Sequence, residues 1–217
     1  YNLTVIEDSA QAIGSKFFNK PSGSFGKVGC FSTHPLKNLN ACGDGGFLTT
    51  NDQKIYEKAE ILRSHGLITR DQSSQFSYVS RMDSIQAAIL NYRLTKLDYV
   101  IARRRENAQY YFDNLNSSDI ILPIEKDGEF NTYHTFVIQT EQRDKLKSYL
   151  KKNNIITAIH YPIPIHLHPA SSKLGYRKGD FPITEKQSKR ILTLPIHQYL
   201  TTSDLKYVVD KVREFFN

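Results

Sequence analysis

Residues 30–46 read Cys-Phe-Ser-Thr-His-Pro-Leu-Lys-Asn-Leu-Asn-Ala-Cys-Gly-Asp-Gly-Gly. Ser32 precedes Lys37 by five residues, and Gly43, Gly45 and Gly46 follow. A lysine in a glycine-flanked turn beside a hydroxyl has two readings. One is a solvated loop lysine, the common fate of that residue. The other is a lysine that forms a Schiff base with a carbonyl cofactor, whose phosphate the serine hydroxyl would hold. Lysine suits that role because its pKa shifts readily.

The rest of the chain bounds what such a window can serve. Its 217 residues suffice for one large domain or two small ones. A chain of that size buries roughly 70–75% of its unfolded surface and needs neither disulfide nor metal. With 39% hydrophobic and 24% charged residues it has the composition of a soluble globular protein. Its two cysteines, Cys30 and Cys42, match neither a disulfide framework nor a four-cysteine zinc site, and a reducing cytoplasm is the expected compartment. No apolar run approaches the roughly 20 residues of a membrane span, and no signal-peptide pattern opens the chain. The sequons at Asn2 and Asn116 therefore carry little weight. The formal charge of +7 suits an anionic partner such as nucleic acid, a membrane surface or a phosphorylated metabolite. Arg103-Arg104-Arg105 and the group Lys145, Lys147, Lys151 and Lys152 lack interleaved stacking aromatics, so they read as solvated helix faces rather than a nucleic-acid surface. The chain opens at Tyr1, two residues before the apolar run Leu3-Thr4-Val5-Ile6. A domain rarely begins inside a buried strand, so an N-terminal portion is expected to precede it.

Residues 3–7 read as a short buried strand, and 28–31 and 46–50 as further strands around the central window. Between them lies a Gly- and Lys-rich loop through Asn19-Lys20-Pro21-Ser22-Gly23. Asn51 or Asp52 can cap a helix that runs to about His65, where Gly66 stops it. Residues 69–80 form a polar loop. From Met82 to about Leu115 there is neither Pro nor Gly, and Ile85, Ala88, Ile89, Tyr92, Leu97, Val100 and Ile101 recur at helical spacing. One long helix, straight or kinked, is expected there. Strands are expected over 134–139 and 155–159, with an amphipathic basic helix over 141–153 between them. The stretch His160-Tyr161-Pro162-Ile163-Pro164-Ile165-His166-Leu167-His168-Pro169 is irregular because its prolines remove donors and fix φ. Helices over 184–190 and 203–216, the latter capped by Ser203, complete the chain.

Asp8 falls at the carboxyl end of the first strand, where α/β sheets bind ligands. Alone it reads equally well as a helix cap. A pyridoxal phosphate site needs a carboxylate to keep the pyridine nitrogen protonated, a lysine for the imine and donors for the phosphate. Asp8, Lys37 and Ser32 supply those three groups.

Glu-Asp-x-Ala-Gln (7–11), Gly-Cys-Phe-Ser (29–32), Lys-Asn-Leu (37–39), Gly-Asp-Gly-Gly (43–46) and Leu-Arg-Ser-His-Gly (62–66) together resemble the DegT/StrS-like sugar-nucleotide aminotransferases. These are fold-type I pyridoxal phosphate enzymes. The likeness continues in Ser-Arg-Met-Asp-Ser-Ile-Gln-Ala-Ala-Ile-Leu (80–90) and His-Tyr-Pro-Ile-Pro (160–164), and covers nearly the whole chain in order. It implies an α/β fold in two parts. Residues 1–100 would form the C-terminal part of the cofactor-binding large domain, with a mixed, mostly parallel sheet. Residues 101–217 would form a smaller α+β domain.

The resemblance also implies roles. Lys37 would be the Schiff-base lysine and the proton shuttle between two imine tautomers. Asp8 would pair with the pyridinium nitrogen, Gln11 would contact the ring near its phenolic oxygen, and Ser32 would bind the phosphate. His34 lies where such enzymes carry an aromatic or imidazole group near the sugar; a packed loop residue is the competing reading. His160 and Tyr161 match a substrate-side pair associated with amination at carbon 3, against the reading of a proline-stiffened loop. Arg81 would lie near a site shared between subunits and hold an acidic substrate's carboxylate. His166 and His168 lack a third ligand, so no metal is expected.

Two departures from the family pattern stand out. Val79 occupies the position of an asparagine that reaches the phosphate of the neighbouring subunit's cofactor, and valine donates no side-chain hydrogen bond. The expected N-terminal portion would carry further phosphate donors and a ring-stacking aromatic. The expectation is a cytoplasmic homodimer with shared sites. It would move an amino group from L-glutamate to a nucleotide-linked keto-deoxy-sugar, at carbon 3 in preference to carbon 4. Alternatives are a pyridoxamine-dependent sugar dehydratase, against which Lys37 argues, and a non-catalytic nucleotide-sugar-binding relative.

Overall fold

A computed structural model describes residues 1–217. The chain divides into two compact units, one of residues 1–102 with 125–134, the other of 103–124 with 135–217.

In the first unit, strand β1 (Ile6–Asp8) runs parallel to β4 (Val28–Ser32), with Asp8 opposite Cys30. Between them a hairpin, β2 (Lys16–Phe17) and β3 (Lys20–Pro21), occupies part of the expected loop; its tight turn passes through Phe18 and Asn19 at positive φ. Strand β5 (Gly46–Thr49) pairs antiparallel with β4, so Ser32 faces Gly46 and the sheet is mixed. The carboxylate of Glu7 fastens the incoming loop by accepting the amides of Gly23, Phe25 and Gly26 at 2.7, 2.6 and 2.6 Å. Gly29 is required by close approach, since a Cβ there would collide with the Gly23 backbone.

Helix α1 (Gln53–Leu62) starts at Asp52, whose Oδ1 accepts the amides of Lys54 and Ile55 at 3.0 and 3.3 Å. It stops before Gly66, which has φ +73° and abuts the Gln75 carbonyl. The short pair β6 (Leu67–Thr69) and β7 (Gln72–Ser73) lies within and beside the expected polar loop. The expected long helix is two helices, α2 (Ser84–Leu94) and α3 (Leu97–Asn114). At the break the Thr95 hydroxyl donates to the Tyr92 carbonyl at 2.8 Å, and the amides of Thr95 and Lys96 reach back only three residues. Leu90 of α2 and Leu97 and Ile101 of α3 bury Leu39 and Ala41 from the central window. Strand β8 (Glu129–Phe130) adds to the β2–β3 hairpin.

The second unit has its own core. Strands β9 (Phe136–Gln139) and β10 (Ile191–Leu194) pair antiparallel, with Phe136, Ile138, Leu192 and Leu194 fully buried. Helix α4 (Arg143–Lys152) buries Leu146 and Leu150 and packs on β10 and on α6. Helix α5 (Pro182–Arg190) packs on β9. Helix α6 (Thr202–Phe216) turns Leu205, Val208, Val209 and Val212 inward and starts from a capping box of Thr201 and Asp204, not from Ser203. The strand expected over 155–159 reduces to one bridge, Ala158 with Thr193. Its partner β10 is four residues long and ends at Pro195, which cannot donate to a continuing ladder.

Desolvation raises the Glu7 carboxyl, but the amides of Gly26, Gly23 and Phe25 outweigh it and hold the pKa below its ordinary 4.5. A depressed carboxylate stabilises above its unfolded pKa and loses that contribution as pH falls through the folded value. Glu7→Ala is therefore expected to cost about 1–2 kcal/mol in denaturant titrations at neutral pH. Variant and parent should converge as the titration is repeated in acid.

Candidate active site

Parallel pairing brings the carboxyl ends of β1 and β4 to one edge, so Asp8 and Ser32 emerge at the same end of the sheet. Beyond Asp8 the chain turns rather than entering a helix. Asp8 Oδ1 accepts the Ala10 amide at 3.1 Å, and the Ala12 amide returns to the Ser9 carbonyl. Gln11 lies exposed in that turn.

Beyond β4, the Lys37 amide donates to the His34 carbonyl at 2.8 Å, closing a turn around Pro35. The Ser32 hydroxyl accepts the His34 amide at 3.3 Å, which leaves its own proton available to an anion. His34 Nδ1 accepts the Leu36 amide at 3.2 Å, so a neutral ring carries its proton on Nε2. That nitrogen faces Asp44 Oδ1 at 3.8 Å. Lys37 itself is half-buried. Burial pushes its ammonium below the ordinary 10.5, and the Asp8 carboxylate pulls the other way without cancelling the effect. The two groups on which the sequence reading rests therefore sense each other's charge.

These residues meet what pyridoxal phosphate asks of a protein. Lys37 offers an amine that loses its proton more easily than a solvated lysine. Asp8 offers a carboxylate from a neighbouring strand end, and Ser32 offers a hydroxyl whose proton is unspent. Arg81, in the same unit, is exposed just before α2. Val79 spends its backbone on a bridge to Ser64 and leaves its side chain exposed.

His160 and Tyr161 belong to the second unit. His160 Nδ1 lies 2.9 Å from the Thr193 hydroxyl, and the two rings meet edge to face at 5.5 Å. They line a cavity of about 480 Å³ with Ile163, Ile165 and His168. His166 is occupied elsewhere. Its Nε2 lies 3.0 Å from Glu185 Oε1, and its ring packs on Phe181. Glu185 also accepts the Gly179 amide at 2.7 Å, which with His166 holds its carboxyl below the usual range. His166 and His168 thus have separate surroundings, and no group of three or more His, Cys, Asp or Glu side chains gathers anywhere.

Sequence reasoning missed the residues that brace the lysine loop: Gln86 and Arg93 of α2, and Asn38 with the Thr132 carbonyl. Gln86 and Arg93 grip backbone atoms, so nothing in the loop's own residue types signals them.

A family model described as the DegT/DnrJ/EryC1/StrS aminotransferase family matches residues 1–213. The chain is 39% identical to a protein of Geobacillus stearothermophilus named a pleiotropic regulatory protein, over 100% of this chain and 59% of that one. It is also 39% identical to the dTDP-3-amino-3,6-dideoxy-alpha-D-galactopyranose transaminase of Aneurinibacillus thermoaerophilus, over 99% of this chain and 59% of that one. The crystal structure of S. venezuelae DesV in complex with a ketimine intermediate superposes with a TM-score of 0.94 at 36% identity, covering 98% of this chain and 58% of that one. The chain thus spans under two thirds of the length of these relatives, and over that span it has the mixed α/β fold of the aminotransferases. By the family match over nearly its whole length, the chain belongs to the DegT/DnrJ/EryC1/StrS aminotransferases.

Proposed function

We propose that this chain carries the lysine-bearing part of a pyridoxal-phosphate-dependent aminotransferase acting on nucleotide-linked keto-deoxy-sugars. The observation that carries this reading is the family match over residues 1–213, with Asp8 and Ser32 at one end of the β1–β4 pair and Lys37 in the loop that follows. L-Glutamate is the proposed donor and carbon 3 of the sugar the proposed acceptor. The carbon-3 preference draws support from the His160-Tyr161 pair and from a relative named for a 3-amino sugar. Two copies are proposed to share their sites in the cytoplasm; exposed Ile85 and Tyr92 on α2 suit a surface that a second copy covers.

When bound, pyridoxal phosphate supplies an aldehyde and an electron-withdrawing ring that take up an amino group and pass it on. Lys37 would hold the cofactor covalently and, as a free amine, move a proton at its Nζ in each half-reaction. Asp8 would accept a hydrogen bond from the protonated ring nitrogen and keep it charged. Ser32 would donate to the phosphate, and Gln11 would donate beside the phenolic oxygen. His34, Arg81, His160 and Tyr161 would orient substrate, with Arg81 taking the donor's carboxylate by a bidentate pair. Residues 1–100 would provide the cofactor side of the site and residues 101–217 the smaller domain.

A non-catalytic regulator is the second reading, favoured by the name of the Geobacillus relative. A dehydratase of the same fold is disfavoured, because that chemistry needs the lysine replaced.

Assayed on the full-length protein, a panel of nucleotide-linked keto-sugars with glutamate as donor separates these readings. The expected result is 2-oxoglutarate release with 3-keto substrates, reduced by about 10²–10⁴-fold or more in Lys37→Ala. Turnover of 4-keto substrates alone would move the reaction to carbon 4, and no turnover with any would favour the regulator.

A second expectation concerns the charge on Lys37. Asp8→Asn removes the carboxylate that opposes burial, so the amine's pKa should fall further. Reductive methylation of cofactor-free protein across pH, read at the Lys37 peptide by mass spectrometry, should show a lower midpoint in Asp8→Asn. An unchanged midpoint would separate the two groups electrostatically and remove Asp8 from the site.

A further inference from the structure

Eight residues separate Lys37 from Gly46, the first residue of β5, and three of residues 43–46 are glycine. Such a segment has high conformational entropy and would let water reach the amine unless something restrained it. The restraint comes from one face of α2. Gln86, Leu90 and Arg93 follow one another at i, i+4 and i+7, the spacing of a single helical stripe. Gln86 Oε1 accepts the Cys42 amide at 2.8 Å, and Arg93 Nη1 donates to the Asn40 carbonyl at 2.6 Å. Between those two grips, Leu90 belongs to the core cluster that buries Leu39 and Ala41. Asn40 carries the restraint across the lysine, since its Nδ2 donates to the Pro35 carbonyl at 2.5 Å. Residues 35 and 40 are thereby joined with Lys37 between them. On the remaining side, Asn38 Nδ2 donates to the Thr132 carbonyl at 2.9 Å.

We propose that Gln86 and Arg93 are positioning residues for Lys37: they clamp the backbone at Cys42 and Asn40 so that the lysine amine stays shielded from water. The inference rests on the reading of Lys37 as the cofactor lysine for its functional meaning. Its physical content, a clamp that keeps the amine partly shielded, stands independently of the cofactor. Because both side chains hold backbone atoms, the side chains of Asn40 and Cys42 do not carry the clamp to α2. Asn40 matters separately through its brace to Pro35.

The test is the pH dependence of reductive methylation at Lys37 in protein freed of cofactor, read by peptide mass spectrometry. In Gln86→Ala/Arg93→Ala the loop loosens, water reaches the amine, and the midpoint should rise toward the ordinary lysine value by about half a pH unit or more. Arg93→Lys keeps a cationic donor at that position and should hold the midpoint near the parent's, which separates loosening of the loop from the loss of Arg93's charge. In the loaded protein kcat should fall by about tenfold or more, with the KM for donor changed by less than about twofold. Thr201→Ala, which weakens the capping box of α6, controls for loss of stability. It should lower the unfolding midpoint and leave the Lys37 midpoint in place. The proposal is overturned if the double variant keeps the parent's methylation midpoint, or if Thr201→Ala moves it equally. A separate addition of pyridoxal phosphate to the parent protein reports on the function itself. Failure to bind there, with the methylation shift intact, would sink the aminotransferase reading and leave the clamp standing.

Discussion

An amine that is to attack a carbonyl must be free of its proton, yet a carboxylate placed nearby favours keeping that proton on. Lys37, proposed as that amine, sits in this conflict. Desolvation disfavours its charge, Asp8 favours it, and desolvation wins. The outcome depends on partial burial, and that burial depends on how the loop of residues 33–46 is held. Leu39 and Ala41 enter the core beside Leu90, Leu97 and Ile101, while Asn38, Asn40 and Cys42 take hydrogen bonds from or to Thr132, Arg93 and Gln86. Apolar burial supplies the larger share of such anchoring, and the hydrogen bonds fix the register.

The opposing charge is positioned by a different device. Parallel pairing of β1 with β4 sets Asp8 opposite Cys30, and the carboxylate of Glu7 ties the 23–26 loop to β1. Two adjacent acidic residues thus have unrelated duties. Glu7 spends its charge on backbone amides, whereas Asp8 accepts the Ala10 amide and acts on the charge of Lys37. Strand alternation sends successive side chains to opposite faces, which makes this division possible over two residues.

The proposed site could be named from sequence because the chemistry dictates residue types. An imine needs a lysine, a pyridinium needs a carboxylate and a phosphate needs donors, so Lys37, Asp8 and Ser32 could be named from spacing and type. The supports around them were not legible. Gln86 and Arg93 read as ordinary polar positions of an amphipathic helix, since their partners are backbone atoms some 44 and 53 residues away. Among the elements, α1 and α6 followed their apolar periodicity and caps, although Thr201 rather than Ser203 begins the latter. The reading allowed for a kink but could not place it at Thr95, because threonine's hydroxyl competes for a helical carbonyl without the signature of Pro or Gly. Strand β10 was missed where Ile191-Leu192-Thr193-Leu194 follows directly on α5 with no turn residue between them. Continuous apolar runs of that length do not distinguish strand from buried helix by period alone.

The central claim, that Lys37 is the residue to which the cofactor attaches, is most directly tested by borohydride reduction. The full-length protein is incubated with pyridoxal phosphate, reduced, digested and mapped by mass spectrometry. The account predicts a pyridoxyl group on the peptide containing Lys37 and none on the corresponding peptide of Lys37→Ala. A pyridoxyl group on another lysine with Lys37 unmodified, or none at saturating cofactor, would contradict it.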